Sequence, residues 1–265
     1  MRMIQPMRDL HALSAGVLPI VEQAGAAIMR IYDADFTVQR KDDNSPLTLA
    51  DLESQRVIIE GLTRMIPDIP ILSEESAQAP WSERRQWREL WVVDPLDGTR
   101  EFIKRNGEFT VNIALVVDHE PVLGFVAAPA RGLLFWGARG LGAFSHPKEG
   151  AQIPIHVSDP HRPLRVVGSR SHATAETAGY LARLGPHVMT GIGSSLKFCL
   201  VATGEAELYP RFGPTSEWDT AAGQAVLEAA GGHVTRLDGH RLRYNCRESV
   251  INGDFLAYSH ASVLP

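Results

Sequence analysis

Five carboxylates in this chain are placed so that they could share one site: Asp51, Glu74, Asp94, Asp97 and Asp219. The densest stretch is WVVDPLDGTREF, residues 91–102, with Asp94 and Asp97 three apart on either side of Pro95. Two phosphatase chemistries compete for it. In one, LDGT belongs to a D-x-D-G-T motif whose first Asp attacks phosphorus; the residue two before Asp97 is Pro95, so that nucleophile is missing. In the other, both aspartates hold divalent ions. Mg²⁺ takes about six oxygens at ~2.0–2.1 Å and keeps several waters, so a few convergent carboxylates and a substrate phosphate suffice. Asp94 at a strand end and Asp97 past the turn can point into one cleft, with the backbone carbonyl of Leu96 as a further ligand. Asp94 could serve two ions ~3.5–4 Å apart, an arrangement that stabilises the attacking and leaving oxygens of an in-line displacement. Gly98 permits close backbone approach, and the amides of Thr99–Glu101 open a helical turn that could receive a phosphate.

Each acid also has a plainer reading. Asp-Gly pairs form turns. Glu74-Glu75 after a strand suits the first turn of a helix, favoured by its dipole, and Asp51 and Asp219 suit helix caps or first turns. What the five share is their place at strand ends and helix starts, where α/β folds gather their sites.

The elements that must position them follow from periodicity. Leu10, Leu13, Val17, Val21, Ala24, Ile28 and Ile31 recur at three- and four-residue steps, which predicts a helix over Met7–Tyr32. A short strand is expected at Thr37–Arg40. A polar turn then leads into a helix over 51–65, with Leu52, Val57, Ile58, Leu62 and Met65 at helical spacing and Asp51 near its start. Strands at Ile69–Leu72 and Leu90–Val93 deliver Glu74 and Asp94. Residues 111–144 read as a β-meander with turns at 118–121, 129–132 and 139–142.

The Pro- and Gly-punctuated stretch 145–164 holds the expected boundary between two subdomains. The first, α+β, spans 1–155 and carries Asp51, Glu74, Asp94, Asp97 and Thr99. The second, α/β, spans 156–265 and carries Lys197 and Asp219. Its elements alternate: strand 165–167, helix 173–184, strand 187–190, helix 194–203, strand 206–209 and helix 218–230.

Composition narrows the partners. A net charge of −5 over 265 residues gives no drive toward nucleic acid or anionic membranes, so a phosphate-bearing ligand must meet a local positive site or bound cations. Cys199 and Cys246 have neither C-x-x-C nor zinc spacing, which suits a reducing cytoplasm. Pro6, Arg8, Asp9, His11, Pro19 and Glu22 interrupt the N-terminal apolar residues, so neither a signal peptide nor an integral membrane segment is expected.

SEES at 73–76, WVVDPLDGTREF and EWDTAAG at 217–223, in that order, resemble the inositol monophosphatase superfamily of Mg²⁺-dependent, Li⁺-inhibited phosphatases. The longer stretches NSPLTLAD (44–51), DGTREFIKRNGEFTVNIALV (97–116) and GSSLKFCLVATGEAELYPRFGPTSEWDTAAG (193–223) are similar to its CysQ-type 3′(2′),5′-bisphosphate nucleotidases. The likeness runs over nearly the whole chain. It implies a layered αβαβα sandwich of the inositol monophosphatase and fructose-1,6-bisphosphatase type, mixing α+β and α/β character.

For the site, the resemblance implies two or three Mg²⁺ ions. Glu74, Asp94 and the Leu96 carbonyl hold one, Asp94, Asp97 and Asp219 another, and Glu74 reaches a third. It implies that Asp51 and Thr99, with Glu74, are catalytic. The Asp51–Thr99 pair orients or deprotonates the attacking water, and the threonine hydroxyl can both accept and donate. Phosphate sits at the turn Asp97–Gly98–Thr99, so Glu74, Leu96 and Asp219 also border the substrate.

Ser194, Ser195 and Lys197 would meet the rest of a nucleotide, although a helix cap followed by an exposed lysine reads equally from those residues. Arg170, Ser171, His172, Tyr209 and Arg211 are further candidate contacts. Ser73 departs from relatives that carry Gly there. The implied activity is removal of the 3′-phosphate from adenosine 3′,5′-bisphosphate, and from its 5′-phosphosulfate analogue, in sulfate assimilation and without a covalent intermediate. Inositol-1-phosphate hydrolysis is the enzymatic alternative, and a non-catalytic ion or nucleotide sensor the alternative of another class. The implied partner is a small nucleotide bisphosphate, with no nucleic acid and with either a monomer or a homodimer. The expected location is the cytoplasm; only the resemblance raises a peripheral place on the cytoplasmic side of the inner membrane.

Overall fold

Asp9 accepts hydrogen bonds from the amides of His11 and Ala12 and so starts helix α1, Leu10–Tyr32, in a computed structural model that describes residues 8–34, 38–40, 46–147, 151–169 and 174–265. By length and composition alone α1 is long and apolar enough to cross a membrane, a test that the buried core helix of a soluble protein also passes. This corrects the expectation that Pro19 and the polar residues break the apolar span. Pro19 lies on the exposed face of the helix, where the carbonyl it leaves unpaired can meet water. The opposite face, Val17, Val21, Ala24 and Ile28, is buried in the cluster shared with the next helix and the sheet, as in a core helix.

Strands β1 (Val38–Arg40) and β2 (Pro46–Thr48) form an antiparallel pair leading into α2 (Leu49–Met65). Thr48 and Asp51 close a capping box at the start of α2. The buried stripe of α2 is Ala50, Asp51, Ser54, Ile58 and Leu62, whereas Leu52 is 45% exposed. The expected apolar face is therefore rotated, and a polar edge turns inward with it.

Next come β3 (Ile71–Ser73), α3 (Trp81–Arg84), β4 (Glu89–Asp97), α4 (Thr99–Ile103), β5 (Thr110–Val117), β6 (Glu120–Ala128), β7 (Leu133–Ala138), β8 (Gly142–Pro147) and β9 (Ile153–Ile155). The seven strands lie side by side in chain order, with β3 parallel to β4 and every later pair antiparallel. A meander of short turns needs no crossovers, which is why the order is preserved.

The remainder comprises β10 (Leu164–Gly168), α5 (Ala175–Leu184), β11 (His187–Gly191), α6 (Leu196–Ala202), β12 (Leu208–Arg211), β13 (Thr215–Ser216), α7 (Ala221–Ala229), β14 (His233–Arg236), β15 (Ile251–Asn252) and β16 (Phe255–Tyr258). A second sheet runs β11-β10-β12-β16-β14, and β13 pairs with β15.

Alternation along the strands sorts the core into layers. Trp91, Val93, Ile113 and Phe125 face α1 and α2. Leu90, Val92, Ala114 and Val126 face α6 and α7, which bury their other sides on Tyr209, Val234, Phe255 and Ala257 of the second sheet. Val166, Leu208 and Leu256 on that sheet's far face pack with Tyr180 of α5. The result is the αβαβα sandwich.

Helix α7 rides on β6 at Gly124, where an added Cβ would lie 2.5 Å from the Ala222 carbonyl. Valine favours strands in general, yet Gly124→Val is expected to destabilise the fold by about 1–3 kcal/mol through overpacking, measured by urea denaturation.

Candidate active site

The end of β4 is irregular. Asp94 stands opposite Asn112 and Asp97 opposite Thr110, so three steps on β4 match two on β5. In a regular strand, residues three apart point to opposite faces. The extra residue, a β-bulge at Pro95–Leu96, returns Asp97 to the face of Asp94. Leu96 turns its side chain into the α1/α2 layer. Proline suits a bulge because it has no N–H to contribute to the ladder. Its carbonyl accepts a 2.7 Å hydrogen bond from Ser54 Oγ, and the Leu96 amide donates to Asp94 Oδ1 at 3.0 Å. The strand expected to stop at Val93 thus runs on through both aspartates.

Asp219 comes from the other half of the chain. It lies in the turn before α7, which begins at Ala221 rather than at Trp218, and its Oδ2 accepts from the Ser216 amide at 2.8 Å. Carboxylate oxygens of Asp94, Asp97 and Asp219 lie within 4.8 Å of one another. Glu74 lines the same cleft. The Asp94 carboxyl is held well above the usual range, first by burial and then by the charges of Glu74, Asp97 and Asp219. That of Asp219 is pushed up to about 8 by burial and next by Asp97. Like charges this close disfavour ionisation of Asp94 and Asp219, and a cation among them would favour it. An all-oxygen donor set suits a hard divalent ion, so the residues fit a metal.

Asp51 satisfies both readings of its sequence at once. Its Oδ2 accepts from the Thr48 amide and hydroxyl at 2.8 and 2.7 Å, capping α2, while its Oδ1 accepts from Thr99 Oγ1 at 3.3 Å. Gly98, between Asp97 and Thr99, has φ +91°, and a Cβ there would also approach the Glu108 carbonyl at 3.1 Å. Both facts favour glycine.

A cleft of about 310 Å³ is lined by Glu74, Asp97, Gly98, Thr99 and Asp219 together with Ser194, Lys197, Tyr209 and Arg211. Lys197 is not the exposed lysine that its sequence allows. It is 7% exposed, and its ammonium donates to the Ser194 and Ile192 carbonyls at 2.5 and 3.4 Å. Burial pulls its pKa down to about 8, against the pull of Asp97. Ser195 stands behind the wall, its buried Oγ 2.8 Å from Asp97 Oδ2 and 2.7 Å from the Asp219 carbonyl. Arg170, Ser171 and His172 lie outside the described residues.

Other residues went unread in the sequence. Arg100, Glu101, Ser169 and Thr215 also line the cleft. Asn112 donates to Ser195 Oγ at 2.9 Å and approaches Asp97 at 3.4 Å. A lone amide within the apolar run TVNIALVV was the signal for it. Glu217 is buried, its carboxylate accepting from the Asn245 amide at 2.9 Å, and burial pushes it up to about 7. Asn245 in turn accepts from Arg84 Nη1 at 2.7 Å, so this linkage spans 161 residues of chain. No local pattern announces such a pairing.

The inositol monophosphatase family matches residues 9–263. The 3′(2′),5′-bisphosphate nucleotidase CysQ of Salmonella typhimurium is 52% identical over 90% of this chain and 96% of its own length. The crystal structure of CysQ from Bacteroides thetaiotaomicron superposes with a TM-score of 0.83 at 39% identity, covering 94% of this chain and 97% of that one. The inositol monophosphatase from Anabaena follows at 0.76 and 27%, covering 97% and 94%.

The crowded carboxyls give metal-free stability a definite sign. Asp94 and Asp219 bind protons more tightly folded than unfolded, so stability falls as pH rises from the ordinary carboxylate range, near 3.8, toward about 8. In excess chelator, Tm is expected to drop between pH 5 and 8.5, and Mg²⁺ or Mn²⁺ should restore it at the upper end. Asp219→Asn should flatten the chelator profile in differential scanning calorimetry. A profile unchanged by that substitution would count against the crowding.

Proposed function

This chain belongs to the inositol monophosphatase family, and we propose on that premise that it removes the 3′-phosphate of adenosine 3′,5′-bisphosphate, giving AMP and phosphate. The 5′-phosphosulfate analogue is a second substrate in this reading, which places the protein in the cytoplasm, clearing a by-product of sulfate assimilation. One observation carries it: a single cleft is lined both by the carboxylates Glu74, Asp97 and Asp219 and by the cations Lys197 and Arg211. A substrate with two phosphates uses both sets of groups, whereas inositol 1-phosphate has a single phosphate to offer. The extensive identity with named bisphosphate nucleotidases points the same way.

In this reading Asp94, Asp97, Asp219, Glu74 and the Leu96 carbonyl hold two or three Mg²⁺ ions. When bound, the ions supply Lewis-acid stabilisation of the phosphate and acidify the attacking water. Thr99 donates to Asp51 and keeps its lone pairs for that water, so Thr99 and Asp51 orient it and Asp51 takes up its proton. The turn Asp97–Gly98–Thr99 receives the scissile phosphate beside Glu74 and Asp219. Lys197, Ser194 and Arg211 meet the other phosphate, with Tyr209 beside them; Ser195 braces Asp97 and the Asp219 carbonyl. Arg170 and His172 are further nucleotide contacts in this reading. The subdomains 1–155 and 156–265 both contribute to the cleft, Asp219 joining the carboxylates from the second.

Phosphate release with Mg²⁺ is expected to be faster from adenosine 3′,5′-bisphosphate than from inositol 1-phosphate in parallel assays, and the reverse order would overturn the substrate assignment. Asp94→Asn should abolish turnover; undiminished nucleotide binding by a wild-type protein that releases no phosphate would instead mark a sensor. Lys197→Ala should chiefly raise KM, by about tenfold or more, as expected for a lost charge-assisted contact of ~1.5–3 kcal/mol made in ground and transition state alike. Steady-state kinetics at saturating Mg²⁺ checks this.

A further inference from the structure

Ser73 and Ser76 bracket Glu74-Glu75, and both are tied to one side chain on α2. Ser73 Oγ donates to Gln55 Oε1 at 2.6 Å, and Gln55 Nε2 donates to Ser76 Oγ at 2.5 Å. Ser73 is fully buried, where a hydroxyl needs a partner, and the Gln55 carbonyl supplies it. Gln55 stands four residues after Asp51, so both lie on one face of α2. Between them Ser54 holds the Pro95 carbonyl. Three segments of the site are thereby referred to a single helix: Thr99 through Asp51, the bulge through Ser54, and the SEES turn through Gln55.

We propose that Gln55 is a positioning residue, which clamps Ser73 and Ser76 so that Glu74 is presented to the cluster at a fixed distance from Asp94 and Asp51. The inference rests on the reading of Glu74 as a metal ligand. The turn has independent support: the Glu74 amide donates to the Val93 carbonyl at 3.2 Å, and Gln78 Nε2 donates to the Ser73 and Ser76 carbonyls at 2.8 and 3.2 Å. Loss of Gln55 therefore leaves the turn formed but frees its tilt against α2. The glutamine amide is the right group for this task, because its acceptor and its donor are spent on the two different hydroxyls. Ser73, buried beneath the turn, is one of the clamp's two anchors.

The test is calorimetric titration of the substrate-free full-length protein with Mn²⁺, together with Mg²⁺-dependent kinetics. Partners that orient metal ligands typically contribute 10–100-fold in affinity. Gln55→Met is expected to raise the Mn²⁺ dissociation constant about tenfold, at the low end of that range. Ser73→Ala and Ser76→Ala should each weaken binding less than Gln55→Met, and nucleotide KM at saturating metal should be unchanged. Val57→Ala, a neighbour on α2 that packs into the core, should lower Tm without moving the metal constant. An unchanged constant in Gln55→Met, or an equal rise in Val57→Ala, overturns the proposal. Glu74→Gln separates the two readings. If it weakens Mn²⁺ binding while Gln55→Met does not, only the clamp fails; if it too has no effect, the ligand role of Glu74 falls and the clamp with it.

Discussion

A single extra residue in β4 is the constraint on which the rest of the site depends. Without the bulge at Pro95–Leu96, Asp97 would point into the α1/α2 core, where Trp91 and Val93 are packed, and an ionised carboxylate there would be prohibitively costly. With it, Asp94 and Asp97 share the face that looks toward α6 and α7, and Asp219 can join them from the turn before α7. The bulge is held on both sides, by Ser54 at the Pro95 carbonyl and by Asp94 at the Leu96 amide. Repulsion among the carboxylates is therefore resisted by backbone geometry, and the site keeps its shape at the expense of raised pKa values at Asp94 and Asp219.

The cleft joins two regimes of burial. It gathers like charges at Asp94, Asp97 and Asp219 and also hides Lys197 among backbone carbonyls, where burial lowers the pKa of the ammonium. Neither set of groups is well satisfied alone. Perturbed groups of both signs gathered in one cleft are characteristic of functional sites.

Much of this was legible in the sequence. Periodicity gave the meander and the later alternation of strands and helices, the family resemblance implied the αβαβα layering, and the acids were recognisable from their places at element ends. The illegible parts all depend on distant partners. Leu90–Val93 was read as a strand ending before Asp94, because nothing local tells that β5 continues the ladder to Thr110 past a bulge. The helix start at Ala221 reflects the grip of Asn245 and Asn252 on residues 216–220, which lie 25 or more positions away. Lys197, read as a nucleotide contact with an exposed lysine as the plainer alternative, is buried because its neighbours Leu196, Phe198 and Cys199 on α6 pack between the two sheets, which the short polar lead-in Ser194–Ser195 does not announce. On α2 the apolar spacing led through Leu52, while the helix turns inward its polar edge of Asp51 and Ser54, since those side chains find partners there.

Gly124 bears on more than the core. Helix α7 meets β6 at Gly124 through its backbone at Ala222 and the methyl of Ala225, and Gly137 on β7 extends the same contact to Val226 and Ala229. The turn that carries Asp219 leads directly into this helix. The gap between the layer bearing Asp219 and the sheet bearing Asp94 and Asp97 is thus held at a minimum, set by main-chain atoms and alanine methyls on one side and two glycines on the other. A larger residue at Gly124, Gly137, Ala225 or Ala229 would widen the space between the aspartates themselves, so the smallest side chains in the core set the spacing of its most highly charged cluster.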